Sequence, residues 1–163
     1  VEELEVDKND STYWLYFELI WRDFFKYVSM QHKDRFFSKD GIYGDNKEWS
    51  TDMEILSNWI KGKTNEPFVN ANMIELLETG FMSNRGRQNV ANYLTKELKI
   101  DWRIGAEYFE SMLIDYDVHS NYGNWLYNAG IGNDSMPFRK FNPKLQSERY
   151  DPNKLYEKTW LDD

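Results

Sequence analysis

The sequence predicts a single all-α domain. Three observations carry that prediction. Apolar residues recur at helical spacing along most of the chain, helix start and stop residues bracket those runs, and almost no stretch alternates as a half-buried strand would. At 163 residues the chain is about one domain long and can bury a real core. With 7 Trp, 11 Tyr and 10 Phe, much of that core must be aromatic.

Taken in order, Ser11 caps a first helix running to about Gln31. Its run 13–28 is apolar nearly all round, which marks a buried central helix. Residues 40–50 hold Gly41 and Gly44 and read as a loop. Thr51 with Glu54 makes a capping-box start for a short helix to about Lys61, and the stretch from Gly62 to Pro67 breaks it. A third helix is expected over 70–78, closed by Gly80, since glycine accepts the left-handed conformation just past a C-terminus. Ser83 caps a fourth over 84–98, and a fifth follows over 103–116. From 118 to 142 glycines and asparagines recur, indicating an ordered but irregular segment. Two short helical pieces, 143–149 and 153–160, finish the chain, which has no internal repeat and no low-complexity tract.

Composition removes several classes of function. The absence of cysteine excludes a disulfide framework, a thiol nucleophile and a zinc–thiolate site, and two histidines make any metal site unexpected. No stretch approaches the roughly 18 apolar residues a membrane span needs, and there is no signal-peptide pattern. The expected location is therefore intracellular (cytoplasm, an organelle or the nucleus), not secreted. A net charge of −8 argues against nonspecific nucleic-acid binding by the whole surface. It leaves room for a local basic groove, because Arg85, Arg87, Arg139, Lys140 and Lys144 lie between acidic ends.

Four groups of residues are candidates for chemistry. Asn84, Arg87 and Gln88 fall at i, i+3 and i+4 on one face of a helix start, an arrangement that suits an anion or a polar heterocycle and equally describes a solvated helix end. Glu18, Trp21, Arg22 and Phe25 put a carboxylate, an indole and a guanidinium on one stripe of a greasy helix, where a simple Glu–Arg pair is the plain alternative. Asp115 and Asp117 end the fifth helix, where acids oppose the macrodipole by about 0.3–1 kcal/mol each unless paired, and Arg87 is the candidate partner. Trp49, Trp102 and Trp125 are, on spacing alone, core or rim aromatics. His119 reads as a hydrogen-bonded loop residue, and Gly130-Ile131-Gly132 is no dinucleotide fingerprint, having neither a preceding strand nor a third glycine.

Four blocks then occur in order: Glu18-Leu19-Ile20-Trp21-Arg22-Asp23-Phe24-Phe25, the run from Thr79 to Ala91, Ile100-Asp101-Trp102-Arg103, and the run from Leu113 to Trp125. Together they resemble the flavin-binding helical domain of the photolyase/cryptochrome family, over residues 11–161. The run from Met82 to Asn89, and Tyr127 two residues after Trp125, resemble the cryptochrome DASH branch. Conventional dimer-repairing photolyases tend to have Met where Gln88 stands and Trp where Tyr127 stands.

The resemblance implies a chain that holds FAD and, under blue light, passes an electron from the reduced flavin to a cyclobutane pyrimidine dimer flipped out of DNA. It implies that Asp115 and Asp117 flank the isoalloxazine edge, that Asn121 faces the flavin N5, and that Arg87 pairs with Asp115. Tyr116 and Asn84 join the cofactor-binding set. Glu18 and Trp21 correspond to lesion contacts, and Arg22, Asn84, Arg85, Gln88, Tyr127 and Gln146 to DNA-facing positions. Trp125, Trp102 and Trp49 match a three-tryptophan relay that reduces the photoexcited flavin. Tyr127 offers less stacking area than an indole, which fits repair in single-stranded or locally unpaired DNA.

Family members also carry an N-terminal α/β domain with the antenna chromophore and a first helical segment that cradles the flavin phosphates. Neither precedes Val1, so the domain reads as a fragment, incomplete on its N-terminal side, with weakened FAD binding and the N-terminal part of a parent protein as its partner. Thr64-Asn65-Glu66-Pro67 departs from the family's usual turn, and Ile74 stands where many relatives have Arg. Two other functions stay open: a blue-light signalling module without repair, and a flavin-free helical binding remnant.

Overall fold

The computed structural model describes residues 10–134 and 136–161. Its elements are α1 (Asp10–His32), a 3-10 turn (Lys33–Phe37), α2 (Met53–Ile60), α3 (Pro67–Thr79), α4 (Asn84–Asn92), α5 (Trp102–Met112), α6 (Val118–Ala129), α7 (Pro143–Tyr150) and α8 (Leu155–Leu161). Among the described residues extended pairing is confined to one isolated parallel bridge, Ser50 with Ile100. The all-α class read from the sequence therefore holds.

The α3–α4 corner follows its sequence signals. Gly80 closes α3 at φ 69°, its N–H bonded to the Leu76 carbonyl, and the Ser83 side chain accepts from the Gly86 N–H to start α4. α4 passes directly into a wider turn over Tyr93–Glu97, so the expected fourth helix continues to within a residue of its predicted end. Small shifts occur elsewhere. The cap of α2 is Asp52, not Thr51, with its carboxylate accepting from the Glu54 and Ile55 N–H groups. α3 begins at Pro67, whose missing N–H costs nothing at a first helical position. Ser11 lies inside α1, and whatever precedes Asp10 falls outside the described residues.

Two expectations are corrected. α1 is not a buried central helix: Phe25 is only 4% exposed, yet Ile20 and Tyr27 are 66% and 67% exposed. Its contacts run mainly to α6 and the 3-10 turn, so an apolar circumference here means one packed side and one uncovered side. The packed side comes very close. A Cβ built at Gly123 would stand 2.3 Å from Phe25 Cδ1, so the two helices meet at a residue without a side chain. Beside that contact, Ser29 Oγ and His119 Nδ1 are hydrogen-bonded at 2.9 Å, which places His119 on a helix and not in a loop.

The second correction concerns the acids. α5 ends at Met112, with Leu113 already extended, and a new helix starts at Val118 inside the stretch expected to be irregular. Asp117 is therefore the N-cap of α6, accepting from the Ser120 N–H at 2.9 Å. A carboxylate expected to oppose one helix dipole instead favours another. The asparagines that suggested a loop bond backwards along the helix: Asn124 Nδ2 to the Ser120 carbonyl and Asn128 Nδ2 to the Asn124 carbonyl, both at 2.9 Å. At its far end, Lys47 and Lys96 both donate to the Ala129 carbonyl, at 2.7 and 2.8 Å.

Burial pushes the Asp117 carboxyl up, but bonds from the Ser120 N–H and hydroxyl, with the nearby charges of His119 and Arg22, leave it below its usual value. A depressed carboxylate contributes stability above its unfolded pKa and loses that contribution as pH falls through the folded one. Asp117→Ala is expected to cost about 1 kcal/mol near neutral pH. Thermal unfolding of parent and variant should converge in acid; a gap that persists there would contradict the cap assignment.

Candidate functional site

Two links hold the α3–α4 corner against the α5–α6 turn. The Ile114 N–H donates to the Gly80 carbonyl at 3.0 Å, and Arg87 forms a salt bridge with Asp115 at 2.9 Å. Arg87 uses one guanidinium nitrogen for both Asp115 carboxylate oxygens and its Nε for the Met82 carbonyl at 2.7 Å, which fixes its plane. A cavity of about 420 Å³ opens beside this pair, within the usual size range of a small-ligand site.

The cavity collects residues from four separate parts of the sequence. α1 supplies Glu18, Trp21, Arg22 and Phe25; α4 supplies Asn84, Arg87 and Gln88; the α5–α6 turn supplies Asp115, Tyr116 and Asp117; and α6 supplies Asn121 and Trp125. Met82, Phe109 and Leu113 add apolar surface. Asn121 is nearly buried and gives its amide N–H to the Ala106 carbonyl at 2.9 Å. No hydrogen bond among the described residues uses its side-chain oxygen. Arg22 makes its ion pair with neighbouring Asp23, at 3.6 Å and exposed, and not with Glu18 as the i, i+4 spacing suggested.

A second cavity, also about 420 Å³, adjoins the first through Gln88 and Asn128. It is polar and basic, lined by Arg85, Arg139 and Arg149 together with Tyr127, Gln146 and Tyr150, with Asp134 as an acid among them. Arg85 lies 4.8 Å over the Tyr150 ring and donates to Gln88 Oε1 at 2.9 Å. Trp21 and Tyr127 meet edge to face, with ring centroids 6.3 Å apart. Sequence reasoning missed Arg149 and Tyr150, although they follow Gln146 at i+3 and i+4 and so share its face of α7.

The three tryptophans are placed differently. Trp125 lines the first cavity, 2% exposed, with Phe109 at 5.1 Å and Trp59 at 6.4 Å between ring centroids. Trp102 is fully buried, donates to the Lys39 carbonyl and packs on Tyr122 at 6.0 Å. Trp49 is half-buried, and its indole N–H is enclosed without a hydrogen-bond partner. Among the described residues no direct ring contact joins these three; Trp59 packs on Trp125 and Tyr122 on Trp102, neither of which the sequence singled out, and Tyr108 packs on Trp59 in turn. Also among the described residues, no cluster of three His, Asp or Glu could hold a metal, and no helix is long and apolar enough to cross a membrane.

Comparison with known proteins gives a consistent answer. The family described as the FAD binding domain of DNA photolyase matches residues 14–163. A cryptochrome DASH of Danio rerio is 55% identical over 98% of this chain and 31% of its own length. Among solved structures, a Synechocystis cryptochrome superposes with a TM-score of 0.93 at 55% identity, over 98% of this chain and 33% of that one. A photolyase of Sulfolobus tokodaii, solved with two FAD molecules, reaches 0.87 at 36% identity, over 97% of this chain and 36% of that one. The chain thus spans about a third of the length of the relatives it matches.

Proposed function

This chain belongs to the photolyase/cryptochrome family, as an FAD-binding domain resembling that of cryptochromes DASH, and on that premise we propose that it forms one helical domain whose first cavity seats the flavin ring and whose second admits DNA. The reaction proposed is blue-light-driven electron transfer to a cyclobutane pyrimidine dimer in single-stranded DNA, inside the cell. One observation carries this reading: Asn121, the Arg87–Asp115 pair and Trp125 converge on a single cavity.

The residues present fit a flat heterocycle. Phe109, Leu113 and Trp125 provide apolar surface, the Asn121 side-chain oxygen provides an acceptor, and Arg87 is held in one orientation by three hydrogen bonds. Bound there, the flavin would supply light absorption and one-electron chemistry. The chain supplies the rest. Asn121 offers a neutral contact whose charge does not change with pH, and the fixed Arg87–Asp115 pair defines the polar rim. Trp21 and Tyr127 form an aromatic corner on which extruded bases would stack, at roughly 1–3 kcal/mol per base. Arg85, Arg139 and Arg149 face the phosphates.

The test combines the purified protein with FAD, dimer-containing oligonucleotides and blue light. The expected result is a yellow complex with oxidised-flavin absorption and loss of dimers, faster in single strands than in duplex. Failure to take up FAD would overturn the cavity assignment; FAD binding without dimer loss would leave a light-absorbing domain and remove repair. Binding of the oligonucleotide should weaken with salt. Arg85→Ala and Arg149→Ala should each lower the slope of log affinity against log salt by about one. Slopes equal to that of the parent would place the phosphates elsewhere.

A further inference from the structure

Two tyrosines touch the buried indoles, and they differ in one respect. Tyr108 packs on Trp59 at 5.8 Å, and Trp59 on Trp125 at 6.4 Å. The Tyr108 hydroxyl is enclosed and has no hydrogen-bond partner. Tyr122 packs edge to face on Trp102 at 6.0 Å, and its hydroxyl donates to Glu110 Oε2 at 3.2 Å. Glu110 is exposed, so the carboxylate that accepts this bond also faces solvent.

That difference decides what each ring can do as an electron donor. A phenol oxidised by one electron becomes a strong acid, so its oxidation is favourable only where a base takes the proton. Tyr108 has none. The Trp49 indole N–H, the nominal end of the relay, also lacks an acceptor. Tyr122 has Glu110. Burial and the Glu110 charge push the Tyr122 phenol up to about 12, so it is protonated at neutral pH and must shed its proton when oxidised. Tyr116, also pushed up by burial and by its bond to Glu110, adds a second phenol on the same carboxylate, and Glu107 adds another acid nearby.

The helices bring these groups into line. Tyr122 and Trp125 lie one turn apart on α6; Trp102 and Gly105 lie one turn apart on α5. Trp125 packs onto Gly105, where a Cβ would stand 2.3 Å from the indole, while Trp102 packs onto Tyr122.

We propose that Tyr122 is a redox-active residue that reduces oxidised Trp102, with Glu110 as its proton acceptor. The step begins with Trp102 as the indole cation radical, an oxidation that a bound flavin would supply through Trp125 under light. Tyr122 gives Trp102 one electron, and its phenolic proton passes to the Glu110 carboxylate. The products are neutral Trp102, a neutral tyrosyl radical and protonated Glu110, so charge and atoms balance. This inference rests on the flavin reading of the first cavity and goes beyond it in moving the end of the electron path from Trp49 to Tyr122.

The experiment has two arms. In the FAD-loaded protein, a blue-light pulse followed by transient absorption and electron paramagnetic resonance should show a tyrosyl radical. Tyr122→Phe keeps the ring against Trp102 and removes only the hydroxyl; it should abolish that signal, whereas Tyr108→Phe should not. Glu110→Gln should slow tyrosyl formation by about a hundredfold, the low end of what a positioned base contributes. In the flavin-free protein, pulse radiolysis with azide radicals oxidises tryptophan directly. Part of the tryptophanyl absorption should convert to tyrosyl absorption, and Tyr122→Phe should remove that part. A full tyrosyl signal in Tyr122→Phe, no tyrosyl signal in the parent, or an unchanged rate in Glu110→Gln would overturn the proposal. Failure of the flavin reading looks different: FAD would not bind, or Trp125→Phe would photoreduce it at the parental rate.

Discussion

Replacing Trp125 by Phe is expected to slow photoreduction of bound flavin at least about tenfold, equivalent to about 1.4 kcal/mol at the barrier. Trp125 is the one member of the tryptophan set that lines the first cavity, so it alone can pass an electron across the cavity wall without an intermediate. Phe keeps an aromatic ring against Phe109 and Trp59 but is far harder to oxidise than an indole. The substitution also leaves a small void in a packed site, at roughly 1–2 kcal/mol. Chemical denaturation measures that cost separately from flash photolysis, so slow photoreduction in a stable, flavin-loaded variant is the informative outcome. Photoreduction at the parental rate would remove Trp125 from the electron path.

Gly105→Ala is expected to have the largest effect on stability for the smallest chemical change. A Cβ at Gly105 would stand 2.3 Å from Trp125 Cη2 and 2.6 Å from Leu94 Cδ2, and both neighbours are buried. Neither can move away into solvent. Overpacking of this kind costs about 1–3 kcal/mol, and this contact belongs at the upper end because a rigid indole and an enclosed leucine are struck at once. The indole can yield only towards the cavity it lines, so FAD affinity should fall together with stability. Urea unfolding and flavin titration of the same variant test both parts. Parental stability would mean that α5 and α6 have more freedom to separate than their close packing implies.

The residues that were legible in the sequence are those whose signals are local. Gly80 and Ser83 mark the α3–α4 corner because a left-handed residue and a capping hydroxyl act within one turn. The end of α5 was not legible. It depends on Leu113 turning extended, which moves Asp117 from one helix's C-terminus to another's N-terminus and reverses its electrostatic effect. Asparagines misled for a related reason: the same side chain that favours a loop can bond four residues back along a helix, as Asn124 and Asn128 do. The circumference of α1 reports that its surface is apolar, and says nothing about which neighbour covers each side.

Within the site, the family blocks named residues that do line the first cavity, among them Glu18, Trp21, Asn84, Arg87, Asp115, Asn121 and Trp125. The basic lining of the second cavity was only partly visible, because Arg85, Arg139 and Arg149 come from separate segments and meet only after folding. The pairing of Trp102 with Tyr122 across α5 and α6 was likewise invisible, since the spacing of residues along a chain does not say which helix faces show the same rings to one another.

The one-sided attachment of α1 separates two halves of the first cavity mechanically. The half built by α4, α5 and α6 is cross-braced by the Gly80–Ile114 and Arg87–Asp115 links, whereas α1 meets it along α6, through Phe25 on Gly123, Trp21 against Tyr127 and the Ser29–His119 hydrogen bond. The exposed side chains at 18 and 22 can therefore be exchanged, altering what is admitted, while the opposite wall keeps its shape. In a scaffold divided this way, discrimination among guests and retention of a cofactor are free to drift independently over evolutionary time.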